Sequence, residues 1–220
     1  MRKPSAFLLT GLLLPCLLLL AACKEDSYVY PDAVTEFVCI QTNAEGNVAA
    51  LLTDDGETLR IDATHRHDSL ALDSIYRAVS LFERIPGTED RATLYQCRLV
   101  TSPRPKPAAQ FQKGIKTDPI GIQSLWRSGD YLNMILLAKV KQWPHYYHFI
   151  HEGITHRPDG RRTLQLRLYH NQNADEPAFT ERVYLSVPLW AYQDSLSAGD
   201  SIRFCLNTFE EGDTYRMFNY

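Results

Sequence analysis

Along most of this chain, apolar and polar residues alternate with a period of two, the signature of half-buried β-strands. Val34 to Gln41 places Val34, Val38 and Ile40 on one face and Phe37 and Cys39 on the other. The run Asn43-Ala44-Glu45-Gly46-Asn47 is a turn signal, and Val48 to Leu52 follows as a return strand, so the two segments read as a hairpin. Asp54-Asp55-Gly56 marks a second turn, leading into Thr58-Leu59-Arg60-Ile61, and Ala92 to Val100 alternates again. The middle of this first body reads two ways. Leu72, Ile75, Tyr76, Val79 and Phe82 fall at helical spacing, while the same stretch alternates as Arg77, Val79, Leu81, Glu83 and Ile85. Local pattern slightly favours the helix, and both readings stay open at this point.

Thr101-Ser102-Pro103-Arg104-Pro105-Lys106-Pro107 interrupts the pattern. Alternate prolines cannot pair in a central strand and favour extended geometry, so 102–117 reads as a Pro-rich linker between a first body at 33–101 and a second at 118–220; a long loop within one domain is the alternative. The second body offers seven strands: Ile120 to Arg127, Tyr131 to Val140, His145 to His151, Thr163 to His170, Arg182 to Pro188, Ser201 to Thr208 and Thr214 to Tyr220. Seven short strands spaced by turn signals predict a β-sandwich. In Thr163 to Leu168, Leu164, Leu166 and Leu168 point to the core and Gln165 and Arg167 to water. The fold class expected is all-β.

The first 22 residues are read as a signal rather than as fold. Arg2 and Lys3 precede an apolar run, Ala6 to Leu20, that is shorter than the roughly 20 residues needed to span a bilayer and suits a secretory h-region. It closes on Leu20-Ala21-Ala22-Cys23, which matches the bacterial lipobox. Small residues at 21 and 22 admit the backbone to the signal peptidase, and the Cys23 thiol takes a thioether-linked diacylglycerol before cleavage frees its amine for another acyl chain. A plain signal peptide with a chance cysteine is the alternative. Two or more acyl chains anchor stably where one does not, so the chain is expected at the membrane through Cys23, with residues 23–32 as a tether. No Asp follows Cys23, and Lys24-Glu25-Asp26 resembles the acidic surface-export signal of some Gram-negative lipoproteins. The expected location is the outer membrane, at the cell surface or otherwise facing the periplasm.

The chain has 23 Lys+Arg against 26 Asp+Glu. Loss of Arg2 and Lys3 leaves the mature form at a net charge of −5. A nucleic-acid partner would call for a basic excess, and none is expected. Cys39, Cys97 and Cys205 remain after Cys16 and Cys23 are accounted for. Cys39 and Cys97 are the pair best placed for a bridge, but buried free thiols are the favoured reading. There is no Cys-x-x-Cys, so neither a zinc knuckle nor a thioredoxin-like site is indicated.

Candidate chemistry is sparse. His145, His148, His151 and His156 cluster, and His151-Glu152 resembles part of a zincin motif. That motif needs a second histidine four residues on along a helix; here the next is five on, and Gly153 and Pro158 oppose a helix. On a strand His145 and His151 share a face, which makes them weak metal candidates, with a solvated or structural role as the default. His65 and His67 also share a face. Ser124 and Ser128 lie near Asp130 with no histidine tied to them, and no Gly-x-Ser-x-Gly elbow or phosphate loop is present. Asp54-Asp55 and Glu210-Glu211 sit in turns next to Gly56 and Gly212, and adjacent loop acids do not give the two-carboxylate geometry of a glycosidase. Asn171 to Glu176 concentrates oxygen ligands that a calcium ion could use, although ordinary turn chemistry is favoured. No catalytic residue and no cofactor are expected. Trp143, Tyr146 and Tyr147 form the best candidate for an exposed, ligand-contacting aromatic patch.

Lys116-Thr117-Asp118-Pro119-Ile120, Trp126-Arg127-Ser128-Gly129-Asp130-Tyr131-Leu132-Asn133, Leu168-Tyr169-His170-Asn171 with Asp175, and Leu185-Ser186-Val187-Pro188-Leu189 resemble the NigD-like lipoproteins of anaerobic gut and oral bacteria. The resemblance implies an OB-like N-terminal barrel followed by an Ig-like C-terminal β-sandwich, and so favours the strand reading of Tyr76 to Ile85, since an OB barrel needs five strands. The family is named from a gene beside a bacteriocin gene, and its members are labelled immunity proteins from that neighbourhood. The shared motifs read as structural, with Trp126 and Tyr131 expected to cover the end of the sandwich. The function expected is therefore that of a non-catalytic, lipid-anchored envelope binding or accessory protein, with bacteriocin immunity as its most specific form. A surface glycan- or peptide-binding lipoprotein is the alternative, and a metal-dependent hydrolase built on His145 to His156 ranks below it.

Overall fold

The structure is a computed structural model that describes residues 32–62 and 70–220. The expected signal segment, Cys23 and most of the expected tether, together with His65 and His67, lie outside the described residues. Ala33–Tyr220 forms one unit. Its first part is a closed five-stranded barrel: β1 (Ala33–Thr42), β2 (Val48–Leu52), β3 (Thr58–Ile61), β4 (Ile75–Arg84) and β5 (Arg91–Leu99), in the order β1-β2-β3-β5-β4. Val38, Ile40, Leu51, Leu59, Phe82 and Leu94 fill it. The helical reading of 72–82 fails because its apolar residues do not share an environment. Leu72 and Ile75 are 57% and 60% exposed, whereas Phe82 is fully buried. In β4, Ala78, Ser80 and Phe82 are buried at every second position, and the strand pairs with β1 on one side and β5 on the other.

The second part is a β-sandwich. One sheet runs β13-β12-β10-β9-β6 and the other β11-β8-β7, built from β6 (Lys106–Pro107), β7 (Gly121–Ser128), β8 (Tyr131–Val140), β9 (Tyr146–His156), β10 (Arg162–Asn171), β11 (Phe179–Pro188), β12 (Ser201–Thr208) and β13 (Gly212–Asn219). The leucines read as inward-pointing in β10 are buried in the core with Leu132, Met134, Leu136, Phe149 and Phe204. Residues 102–117 do not hang free. Lys106–Pro107 pairs with β9 as an edge strand, the place in a sheet where proline is tolerated. Phe111 stacks on Tyr169 at 4.9 Å, and Thr117 bridges His170. Cys39, Cys97 and Cys205 are free thiols. Burial pushes the Cys97 and Cys205 thiols above their ordinary pKa, which lowers their reactivity.

Two buried carboxylates tie the sandwich loops down. Asp200 accepts the backbone N–H groups of Arg162 and Ser197 and the Arg162 guanidinium, which hold its pKa below 3.8 against the opposing effect of burial. Asp175 accepts the N–H groups of Lys141 (2.6 Å), Gln142 (3.0 Å) and Trp143 (3.1 Å). Burial alone would raise its pKa, but these donors outweigh it and hold it below 3.8. In the Asn171 to Glu176 turn, both Asp175 oxygens thus accept backbone N–H groups.

Barrel and sandwich meet through side chains that the alternation turns out of each. β1 is buried on both faces: Val38 and Ile40 enter the barrel core, while the Phe37 ring meets Trp126 edge-on at 5.2 Å and Cys39 Sγ lies 3.3 Å from the Tyr131 hydroxyl. Trp126 and Tyr131 therefore face the barrel and form the joint between the two parts. At its centre Arg77, with its side chain 3% exposed, donates both guanidinium nitrogens to Asp54 at 2.6 and 2.7 Å. It also donates to Asn133 Oδ1 and Ser186 Oγ and stacks over the Tyr131 ring at 3.8 Å. Asp54, one of the adjacent acids of the turn before Gly56, is one half of this ion pair. The hairpin turn at Gly129 rests on the Asp54 turn. Gly129 has φ +51, and a Cβ there would sit 2.3 Å from the Asp54 carbonyl oxygen.

Arg77→Met strands the Asp54 carboxylate in a desolvated site and is expected to cost about 3–5 kcal/mol in urea unfolding. An Arg77→Met/Asp54→Leu double variant recovers most of that loss, because both charges go together. Gly129→Ala loses more than Gly160→Ala: both have positive φ, but only Gly129 meets a backbone atom within 4 Å. For the pH dependence, Asp175 and Asp200 have folded pKa values below their unfolded 3.8. Their contribution to stability is complete above about pH 5 and is lost as pH falls through the lower folded values. Asp200→Asn should flatten the acid limb of a stability–pH curve; an unchanged limb would count against this assignment.

Candidate functional site

The outer face of the three-stranded sheet is wider than the patch that docks on the barrel, so grooves open beside the joint. One, of about 490 Å³, lies between β1 and β4 of the barrel and the three-stranded sheet. Phe37, Val79, Trp126, Ile135 and Tyr184 give it an aromatic and aliphatic wall, and Glu36, Asp55, Gln123 and Arg182 stand around it. Arg182 donates to Gln123 Oε1 at 2.8 Å, and Asp55 accepts from Thr53, which lowers its pKa. A second groove, of about 510 Å³, reaches from Arg98, Leu99 and Thr101 at the end of β5 to the β8–β9 turn at Trp143 and the first half of β11. Tyr184 borders both grooves. Arg98 lies 5.3 Å above the Tyr184 ring and 3.6 Å from Glu181.

The three aromatics read from sequence do not form one patch. Trp143 is 54% exposed and lines the second groove, held there by its N–H bond to Asp175. Tyr147 lines the floor of the same groove and stacks on His170 at 4.9 Å and 5°; burial pushes its pKa far up. Tyr146 is exposed, but as the neighbour of Tyr147 on β9 it points to the opposite face and is absent from the groove wall.

His145 and His151, the weak metal candidates, do not come together along the strand. They are separated by six residues of nearly continuous strand, about 20 Å at the strand rise, and each ring has its own partner. His151 Nδ1 lies 3.2 Å from the Tyr192 hydroxyl, whose pKa burial pushes up to about 12. His145 Nδ1 lies 3.0 Å from His170 Nε2. The tautomers follow from a carbonyl's inability to donate. His170 Nδ1 must donate to the Asp118 carbonyl at 2.8 Å, so its Nε2 accepts the His145 Nδ1–H. Burial, with His145 adding to it, lowers the His170 pKa despite the favourable Asp118 carbonyl. His148 Nδ1 is engaged by its neighbour's backbone N–H, the ring packs on Phe111, and burial lowers its pKa as well. Among the described residues no group of three or more His, Cys, Asp or Glu could hold a metal ion.

At the joint, both Asp54 oxygens are occupied by Arg77, with Asn133 adding a third donor. Tyr131 is pushed up to about 12 by burial and by its contact with Cys39. The polar groups beneath the grooves are thus committed to one another, while aromatic rings are presented at the rims. Sequence reasoning missed Arg98, Phe179 and Tyr184. Arg98 and Tyr184 lie on predicted strands with no feature that marks them, and Phe179 lies before the predicted start of its strand at Arg182.

The family model for the NigD-like C-terminal β-sandwich domain matches residues 104–220. Among solved structures, a NigD-like immunity protein from Bacteroides caccae superposes with TM-score 0.70 at 29% identity, over 88% of this chain and 99% of that one. A Bacteroides vulgatus protein of unknown function aligns at TM-score 0.66 and 18% identity, over 86% of this chain and 90% of that one. A Bacteroides fragilis protein named as a candidate lipoprotein aligns at 0.58 and 15%, over 86% and 97%. The last two show the shared fold alone. No curated protein matches the chain. A β-sandwich matched over more than half of the chain, joined to a barrel in the arrangement of the B. caccae protein, places this chain in the NigD-like family.

Proposed function

We propose that this chain is a non-catalytic, lipid-anchored binding protein of the outer membrane that seats a protein, peptide or glycan ligand in the grooves beside the barrel–sandwich joint. The observation that carries the reading is the division of labour there. The charged groups, Arg77 and Asp54, neutralise each other below the surface, and the rings of Trp126, Tyr184 and Trp143 line the grooves. Ligand sites favour concave, largely apolar surfaces at domain boundaries with a few fixed polar groups. A general acid or base needs a carboxylate or imidazole within reach of a substrate proton; Asp54, His145 and His170 are instead spent on internal partners. Nucleic acid is disfavoured by Glu36 and Asp55 at the first groove, where phosphates would meet carboxylates.

Anchoring through Cys23 is supported by the Leu20-Ala21-Ala22-Cys23 sequence, and the B. fragilis neighbour's description as a candidate lipoprotein is in keeping with it. Lys24-Glu25-Asp26 supports display at the cell surface. Immunity to a bacteriocin is the most specific version of this function, supported by the description of the B. caccae protein as a NigD-like immunity protein.

In cells fed a radiolabelled fatty acid, the wild-type chain takes up label and fractionates with membranes. Cys23→Ala loses the label and moves to the soluble fraction; label retained on that variant overturns the anchor. Deletion of the gene followed by challenge with a bacteriocin encoded beside it raises sensitivity if the role is immunity. Unchanged sensitivity removes that version and leaves the binding function to be tested with ligands.

A further inference from the structure

β11 is an edge strand whose outer side is half occupied. It pairs with β8 over all ten of its residues. On its other side the Ser186 N–H donates to the Thr101 carbonyl at 3.1 Å, and Thr101 bridges Leu185 in parallel. Alternate residues of a strand turn their N–H and C=O groups to the same side, so Ser186 sets Arg182 and Thr180 facing outward as well. Outside the pairing with β8, no backbone hydrogen bond among the described residues involves either. Exposed edges of this kind are usually guarded by charge. Here the Arg182 guanidinium is drawn across the sheet to Gln123, and Glu181 is paired with Arg98 at 3.6 Å.

The second groove runs along this open edge. It is bounded by Thr101 at one end and Trp143 at the other, with Tyr147 and Val183 in its wall. Phe179 and Trp143 are 57% and 54% exposed and flank it. A row of outward backbone donors and acceptors at strand spacing is satisfied by another extended backbone, not by a sugar or a compact ligand. An apolar side chain at every second position of such a backbone would fall toward Trp143, Phe179 and Val183. Thr101 already occupies the edge in this manner at Leu185.

We propose that the edge of β11 from Phe179 to Tyr184 captures an extended peptide segment as an added strand. This is recognition by strand addition, and it rests on the binding-protein reading above by naming the ligand class of the second groove.

The test pans a random nonapeptide phage library against the full mature chain in detergent, with a glycan array run in parallel. Arg182→Pro removes one outward N–H and leaves the β8 ladder intact, since proline is tolerated at such edge positions. It should keep the melting temperature and lower the affinity of selected peptides about tenfold, the scale expected for a lost backbone hydrogen bond in a desolvated groove. Trp143→Ala should weaken them too, and methylating alternate backbone nitrogens of a peptide should abolish binding. Should Arg182→Pro unfold, hydrogen exchange reads the wild-type chain instead: the Thr180 and Arg182 amides slow at least tenfold with peptide bound. No enriched peptide, equal binding to both variants, or unchanged exchange at these amides overturns the proposal. Glycan binding without peptide binding overturns it and leaves the binding-protein reading standing, whereas binding of neither sinks both.

Discussion

The arrangement of this protein depends on one buried ion pair. Arg77 leaves the barrel on the outward face of β4 and meets Asp54 from the β2–β3 turn, under a lid formed by Asn133, Ser186 and Tyr131 of the sandwich. Neither charge could be desolvated alone, because an unpaired buried ion costs several kcal/mol. The sandwich completes a solvation shell that the barrel leaves unfinished, and the barrel in turn seats the Gly129 turn. Such a joint gives a fixed orientation more than raw stability, since the desolvation of both partners offsets much of their attraction.

The grooves follow from that orientation. A barrel wall and a three-stranded sheet touch over a limited patch, and the outward residues beyond it, Ile135, Arg182 and Tyr184, line hollows that neither module has alone. Rigid walls and aromatic rims lower the ordering cost of binding. The Asp175 carboxylate extends the same logic to the β8–β9 turn: three backbone N–H groups converge on it and hold Trp143 at the groove.

Strand positions were legible because alternation is a local consequence of the pleat. Tyr131 to Val140 and Ser201 to Thr208 were read with the boundaries later observed. Residues 72–82 were ambiguous because exposed Leu72 and Ile75 imitate a helical stripe, and only their burial in the fold separates the two periods. Proline at 103, 105 and 107 was a sound signal against a central strand, yet one pair of residues there joins a sheet edge. The candidate site was less legible. Trp143 was found because an aromatic in a turn stands out. His145 and His151 misled because shared parity on a strand carries no information about distance along it, and Tyr146 was grouped with Tyr147 although neighbours on a strand face opposite ways.

By itself the sequence determined what nearest neighbours along the chain can encode: which segments are strands, which face of each is apolar, and where turns interrupt them. It also carries a Leu20-Ala21-Ala22-Cys23 match to the lipobox pattern and the family motifs. Only the tertiary structure decided what the outward faces meet. Asp54 reads as one of two adjacent acids in a turn until Arg77, 23 residues on, arrives opposite it, and nothing along the chain shows that Asn133 and Ser186 cover Arg77. Period-two patterning separates inside from outside for a single sheet. It has no term for a second module docking on the outside, and the joint, its grooves and the half-open edge of β11 all lie there.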